Sequence, residues 1–466
     1  MDKIQFGTDG WRAIIGDTFT LKNLARVTEA TALWLKSSSE TPSVALGYDC
    51  RFNGSFFAKA VANQLAQSGV RVFLSPGFVS TPMVSLATQK RQLTAGIILT
   101  ASHNPPEYSG FKIKGYYGGP ATPSMIQAVE QLIPENTAFF EDKFEALLEA
   151  KMIEWYDMEA LYENHLKTSF DLSAIRSSGI KIGYDAMYGA GQSVFKKVFP
   201  TAELLHCEFN PSFMGQAPEP IEKNLVPFSE LIRGKNLDIG LATDGDADRI
   251  GLYDENGNFV DSHNILLLLI HYLRHYKQES GSVICTFSCT SKIKVLCDYY
   301  EIPMQITKIG FKYIAEIMLN ETVLVGGEES GGIAVTGHVP ERDGIYIGIT
   351  LFEFMAKTGK KLTELIEEVY AITGSFAVER NDLHITEELK QHVLTQCKNG
   401  SYTGFGEYQV VNTEDLDGFK FHFPSGEWVM IRPSGTEPVL RVYAESQNKE
   451  GAFKILDSVV KTLLNK

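Results

Sequence analysis

Three times along this chain an apolar, strand-like run gives way to a short loop of small and polar residues. Residues 94–100 lead into Ala101-Ser102-His103-Asn104, residues 237–242 into Thr243-Asp244-Gly245-Asp246, and residues 322–325 into Gly326-Gly327-Glu328-Glu329-Ser330. Loops at the ends of buried strands are where open α/β sheets place their ligands. The recurrence suggests three related α/β units in series.

The intervening sequence supports this. Residues 21–36 carry apolar side chains at helical spacing behind Thr20, and 44–47 follow as a short strand. Residues 56–67 then read as a helix stopped by Gly69, 70–74 as a strand, and Thr81-Pro82 as the N-cap and first turn of another helix. Alternation of this kind predicts a largely parallel sheet with helical layers. Beyond about residue 370 the units shorten: a helix over 385–397, strands at 419–423 and 428–431, and a final amphipathic helix predict a smaller α+β domain. The expected division is 1–150, 151–254, 255–370 and 371–466, which suits 466 residues, too many for one core.

Composition narrows the partners. With 43 Lys and Arg against 57 Asp and Glu, the formal charge of −14 offers no footprint for nucleic acid. A phosphate site must therefore be locally basic, which a screening length of about 8 Å permits. The longest aliphatic run, 265–270, is far too short to span a bilayer and the first residues lack a signal-like apolar stretch, so a cytoplasmic location is expected. Six cysteines form no disulfide framework in so long a chain, and Cys285, Cys289 and Cys297 lack the paired spacing of a zinc site.

Four strings carry chemistry. Ser102, in Thr100-Ala101-Ser102-His103-Asn104-Pro105-Pro106, sits at a strand exit ahead of two stiffening prolines, where a serine is either an exposed nucleophile or a turn residue. Asp244, Asp246 and Asp248 alternate with Gly245 and Ala247, putting three carboxylates on a loop that can fold around a hard cation. An EF-hand fails there, because Arg249 occupies the sixth position and both flanks read as strands. Three single carboxylate oxygens leave room for a phosphate oxygen and suit magnesium better than calcium. Glu328 and Ser330, framed by glycines, offer acceptors and a donor to sugar hydroxyls. Arg432-Pro433-Ser434-Gly435-Thr436, with Arg441 beyond it, combines guanidinium, hydroxyl and accessible amide into a phosphate cradle or an ordinary turn.

Together with the opening Phe6-Gly7-Thr8-Asp9-Gly10-Trp11-Arg12, and in this order, these strings resemble those of the α-D-phosphohexomutase superfamily of phosphoglucomutases and phosphomannomutases. The resemblance spans nearly the whole chain. It implies three similar mixed or parallel-sheet α/β domains and a smaller C-terminal α+β domain around a central cleft. It also implies Mg²⁺, a phosphorylated Ser102 that is both donor and acceptor, and glucose 1,6-bisphosphate as intermediate and activator. By the same resemblance Ser102, Asp244, Asp246 and Asp248 are the metal ligands.

Lys112, Arg12 and Arg249 are then the candidates for stabilising the transferring group, with His103 as a hydrogen-bonding partner of the serine. Gly310, Glu328 and Ser330 fall to the sugar, and Arg432, Ser434, Gly435, Thr436 and Arg441 to the non-reacting phosphate. Aligning Gly337-His338-Val339-Pro340-Glu341-Arg342 with the phosphoglucomutase pattern puts Arg342 where a lysine often stands. Arginine stays protonated and is a poor base. The proton falls instead to Lys112, His338 or the departing phosphate. Glu328-Glu329-Ser330 resembles phosphoglucomutases more than the Glu-Met-Ser or Glu-Gln-Ser of other branches, while Ile309 replaces a threonine in the family's Thr-Gly-Trp-Lys stretch. Glucose phosphates are the expected substrates, with mannose or pentose phosphates as alternatives. A small-molecule enzyme of this kind is expected as a monomer or small homo-oligomer. A non-catalytic sugar-phosphate sensor is the reading from another class, and an incomplete nucleophile or aspartate triplet would favour it.

Overall fold

Thr20 accepts the Asn23 amide hydrogen on its hydroxyl and so starts the helix Leu21–Ser38, whose apolar face is buried. The next helix, Gly54–Gln67, is followed by Gly69 at φ +87°, a left-handed turn that glycine adopts without strain. The helix Thr81–Lys90 is capped by Ser80 rather than Thr81, which is its first residue; Pro82 lies in that first turn, where a missing amide hydrogen costs nothing. This is a computed structural model describing residues 3–7, 9–137, 140–433 and 439–464.

The chain packs as two compact units. One runs to Val283 and resumes over Gly310–Ile366; the other consists of Ile284–Ile309 and the residues from Glu367 onward.

The first unit contains a six-stranded sheet of β1 (Trp11–Ile14), β2 (Ser43–Tyr48), β3 (Arg71–Leu74), β4 (Ala95–Leu99), β5 (Tyr108–Gly115) and β6 (Ile153–Trp155), in the order β1-β5-β4-β2-β3-β6. Strands β4, β2, β3 and β6 are parallel, whereas β5 is antiparallel to both β4 and β1, so the sheet is mixed. Val44, Leu46, Val72 and Ile97 from its centre join Leu24, Val27 and Leu65 of the helices in one buried core. A second sheet holds β7 (Ile182–Asp185), β8 (Glu203–Leu205), β9 (Ile239–Thr243), β10 (Ile250–Tyr253) and β11 (Phe259–Val260), in the order β11-β10-β9-β7-β8. The third strand-to-loop segment is Val323–Gly327, paired antiparallel with Ile333–Val335.

In the second unit, Ala377–His384, Val439–Ser446, Trp428–Pro433, Phe419–His422 and Asn412–Glu414 form an antiparallel sheet in that order. Alternation along the strands gives it two buried faces. Phe421, Ile431 and Val442 pack with Val393 and Ile455 of the helices Glu387–Lys398 and Lys449–Leu463, while Trp428, Met430 and Tyr443 pack with Phe287.

Among the described residues no helix is long and apolar enough to cross a membrane. All six cysteines are free thiols, five of them buried, in keeping with their reading as non-framework residues.

Candidate active site

At the end of β4 the chain turns through Thr100, whose hydroxyl donates to Asp49 Oδ2 (2.5 Å) and accepts the Ser102 amide hydrogen (2.8 Å). Ser102 takes a left-handed conformation, φ +53°, uncommon outside glycine. The sequence reads this serine as an exposed nucleophile or a turn residue at a strand exit; in the structure it is 1% exposed. The loop between β9 and β10 covers it, and a Cβ on Gly245 would stand 2.6 Å from the Ser102 carbonyl oxygen. Only glycine permits that approach.

The covering loop is a hairpin tip, with Thr243 opposite Ile250, which confirms the strand flanks that excluded an EF-hand. Asp244 Oδ1 accepts the amide hydrogens of Asp248 (2.9 Å) and Arg249 (3.0 Å), curling the tip so that Asp244, Asp246 and Asp248 each offer an oxygen within 4.8 Å of the others. Asp244 Oδ2 accepts the Ser102 hydroxyl hydrogen at 2.7 Å. The serine and the three aspartates expected from sequence thus meet at one point.

Three cations surround the acids. Lys112 Nζ lies 2.7 Å from Asp246 Oδ2, 2.9 Å from Asp9 Oδ2 and 3.2 Å from Asp248 Oδ2. Arg342 bridges Asp248 (2.6 Å) and Asp9. Lys114, on the same face of β5 as Lys112, pairs with Glu341 at 2.7 Å. The helix that Ser80 caps also contributes, as Thr81 donates its hydroxyl to Asp246 Oδ2 (2.5 Å) and its amide to the Asp246 carbonyl (3.0 Å). Burial opposes ionisation of Asp9, yet Lys112, Lys114 and Arg342 hold its carboxyl well below the usual range. Burial likewise works against the Lys112 ammonium, but Asp246, Asp248 and Asp9 outweigh it and raise its pKa.

These contacts bear on the proton. Lys112 stays charged, with its ammonium directed at three carboxylates, and Arg342 is pushed upward by Asp248 and Asp9 against its burial. His338 has one ring nitrogen 2.9 Å from Asp343 Oδ2 and the other 3.0 Å from His165 Nε2. None of the three side chains expected to bear on the proton has a free basic nitrogen in this arrangement. His103 Nδ1 lies 3.3 Å from Ser102 Oγ, and burial, with the charges of Arg249 and Arg12, pushes the imidazole well below its ordinary value and keeps it neutral. Arg12 donates to Asn104 Oδ1 at 2.7 Å, and Arg249 lies 3.6 Å from Glu219.

The donor set fits a divalent cation. Asp246 Oδ1 and Asp248 Oδ1 are buried without a hydrogen-bond partner among the described residues, which is costly for carboxylate oxygens unless a ligand meets them. Burial and the charges of Asp246 and Asp248 drive the Asp244 carboxyl well above its ordinary value, the repulsion a cation would relieve.

The glycine-framed loop lies beside the hairpin: Ile250 donates its amide hydrogen to the Gly331 carbonyl (3.1 Å). Glu328 is 5% exposed and accepts from the Gly310 amide at 2.9 Å, while Ser330 is partly exposed. Burial raises the Glu328 carboxyl to about 7, with Arg342 working in the opposite direction. In the second unit, Arg432 faces Arg441 across adjacent strands and approaches Asp417 at 3.3 Å, and Arg441 Nε is buried without a partner among the described residues. Ser434, Gly435 and Thr436 lie outside the described residues.

Sequence profiles of one family, phosphoglucomutase/phosphomannomutase, match the chain in four consecutive parts. They are alpha/beta/alpha domain I over residues 3–139, domain II over 160–257, domain III over 261–372 and the C-terminal domain over 387–462. A phosphoglucosamine mutase of Methanococcus maripaludis is 31% identical over 474 residues, covering 98% of each chain. The chain belongs to the phosphoglucomutase/phosphomannomutase family. A phosphoglucomutase/phosphomannomutase of Thermococcus kodakarensis is 29% identical over 464 residues, again 98% of each. A crystal structure from Thermus thermophilus superposes with a TM-score of 0.88 at 32% identity over all of both chains. A Paramecium phosphoglucomutase in an open form, at 18% identity and TM-score 0.81, shares the fold over all of this chain and 95% of its own. The phosphoglucomutase/phosphomannomutase fold therefore accounts for three α/β/α domains and a C-terminal one. Enzymes of this family are phosphohexomutases, intramolecular phosphotransferases.

Sequence reasoning misses the roles of Thr81, Lys114 and Glu341. It shows Thr81 only as a helix cap, and Glu341 only as part of an aligned segment.

Proposed function

We propose that this enzyme interconverts glucose 1-phosphate and glucose 6-phosphate through a phosphorylated Ser102 and a glucose 1,6-bisphosphate intermediate. One observation carries the reading: the Ser102 hydroxyl lies against Asp244 inside a three-aspartate pocket. Ser102, Asp244, Asp246 and Asp248 would hold Mg²⁺, which when bound supplies positive charge to offset that of the transferring group.

The sugar O6 attacks the phosphorus of phosphorylated Ser102, the P–Oγ bond breaks, and Oγ keeps the electron pair. The hydroxyl proton passes to a non-bridging phosphoryl oxygen and from there to the departing Ser102 Oγ, which leaves as the neutral hydroxyl; this is consistent with Lys112 staying protonated and both His338 nitrogens being engaged. Arg12 and Arg249 supply fixed positive charge to the equatorial oxygens, and neutral His103 pairs with the Ser102 oxygen. After the bisphosphate reverses, its other phosphate returns to Ser102. Glu328, Ser330 and the Gly310 backbone orient the ring. Arg432, Ser434, Gly435, Thr436 and Arg441 take the phosphate that is not reacting.

Glucose is preferred on the Glu328-Glu329-Ser330 string. A second reading, mannose or glucosamine phosphate, is favoured by the names of the relatives, among them phosphoglucosamine mutases. Small-molecule sugar phosphates are the partners in either case, acting in the cytoplasm on a monomer or small homo-oligomer. The complete serine and aspartate set disfavours a sensor.

The experiment is intact-mass analysis and peptide mapping after incubation with glucose 1,6-bisphosphate and Mg²⁺. One phosphate on Ser102 is expected, and phosphate on His103 instead would refute the assignment. Turnover on glucose, mannose, glucosamine and ribose 1-phosphates then ranks the sugars.

A further inference from the structure

Arg51 is 2% exposed, and its guanidinium donates to the backbone of the serine loop rather than to the Ser102 hydroxyl, whose partners are His103 and Asp244. Nη1 donates to the carbonyls of Pro105 (2.7 Å) and Tyr108 (2.9 Å), and Nη2 to those of Ser102 (2.6 Å) and Asn104 (2.7 Å). Its other face lies 5.1 Å from the Phe213 ring centroid. The Arg51 amide donates to Asp49 Oδ1 (3.0 Å), and Arg51 Nε lies 3.3 Å from Asp49 Oδ2. That same Oδ2 accepts from Thr100, whose hydroxyl oxygen in turn accepts the Ser102 amide hydrogen.

The contacts close a ring. The amide of Ser102 is tied to Arg51 through Thr100 and Asp49, and its carbonyl is tied to Arg51 directly. Both ends of the residue with left-handed φ are thereby fixed. A non-glycine residue keeps such a conformation only where its surroundings over-determine it. A planar fork of five N–H donors can reach four carbonyls at once, whereas an ammonium offers three donors from a single atom.

We propose that Arg51 is a positioning residue for phosphoryl transfer: by clamping the backbone on both sides of Ser102 it holds the serine oxygen on Asp244. This rests on the reading of Ser102 as the phosphoryl carrier. Asp49 and Thr100 are the ring's other members, and Phe213 backs the guanidinium.

The test compares wild type, Arg51→Lys and Thr100→Val after loading with glucose 1,6-bisphosphate and Mg²⁺. Three quantities are measured: the thermal midpoint, the dissociation constant for glucose 1-phosphate, and the single-turnover rate of phosphoryl transfer to it. Thr100→Val removes two hydrogen bonds of the ring, the one donated to Asp49 and the one accepted from the Ser102 amide, at nearly constant volume, so it reports on the clamp should Arg51→Lys fail to fold. For each folded variant, sugar-phosphate affinity within about twofold of wild type is expected, with transfer slowed by about a hundredfold, the order seen when a reacting atom is misplaced by an ångström. A purely structural role would lower the thermal midpoint without separating transfer rate from affinity. Transfer at the wild-type rate in a folded variant, or affinity and rate falling together, overturns the proposal. If wild-type Ser102 takes up no phosphate, the functional reading fails and the clamp's catalytic role goes with it.

Discussion

Ser102 Oγ and Asp244 Oδ2 lie 2.7 Å apart although 142 positions separate the two residues in the chain. The contact joins a loop that follows β4 of one sheet to the hairpin tip of another. It places the proposed phosphoryl carrier beside the proposed cation ligands.

Ser102→Ala should remove turnover while leaving sugar-phosphate binding intact, because the hydroxyl is the only part of that side chain the proposed chemistry uses. A loss of kcat of at least about a thousandfold is expected for deleting a covalent nucleophile. Calorimetric titration with glucose 1-phosphate should still register binding. Activity near wild type in the alanine variant would end the assignment.

Mg²⁺ should stabilise the folded protein. Binding to the native state alone adds about 2.7 kcal/mol at a hundred times the dissociation constant. Thermal unfolding with and without a chelator should show the shift in wild type, and Asp248→Asn should largely abolish it. An equal shift in both proteins would place the ion elsewhere.

Glu328 should give the reaction a pH dependence. Burial raises its folded-state carboxyl to about 7, so the folded protein holds this proton more tightly than the unfolded chain. Its contribution to stability is therefore present below the ordinary carboxylate range and is lost as pH rises through about 7. Its ability to accept from a sugar hydroxyl changes in the opposite sense, so KM should fall over the same interval. Glu328→Gln should flatten the KM profile, and an unchanged profile would show that another group titrates there.

The Lys114–Glu341 pair, with both side chains fully buried, should resist separate substitution. Removing one charge leaves the other with only a longer ionic contact in the interior, Lys114 to Asp9 at 3.7 Å or Glu341 to Arg342 at 3.8 Å, and breaking a buried pair costs about 3–5 kcal/mol. Glu341→Gln should lower the unfolding midpoint accordingly, and Lys114→Met combined with Glu341→Leu should recover much of the loss. Additive destabilisation in the double variant would show that the two do not act as a pair.

Local patterns were legible in the sequence where local physics decides the outcome. Thr20 and the apolar spacing behind it mark the helix Leu21–Ser38, and alternating carboxylates mark the loop after β9. Ser80 and Thr81 are both competent caps in neighbouring positions, and only the Asp246 contact separates their roles. The ion network was not legible, since Arg342 and Asp9 stand 333 positions apart and no pattern around either announces the other. The burial of Ser102 escapes a sequence reading for the same reason, because the Asp244 loop that shields it comes from a distant stretch of chain.

The tip between β9 and β10 is held at a fixed length by its own pairing, with Thr243 facing Ile250 and the Ile250 amide anchored to Gly331. One inserted residue would move every β10 side chain to the opposite side of its sheet or tear that anchor away. In a mutagenised library, individual letters of this segment could change at a graded cost, whereas its spelling length could not. Deletion and insertion scanning should therefore leave a sharp gap over residues 244–249, even among variants screened only for folding.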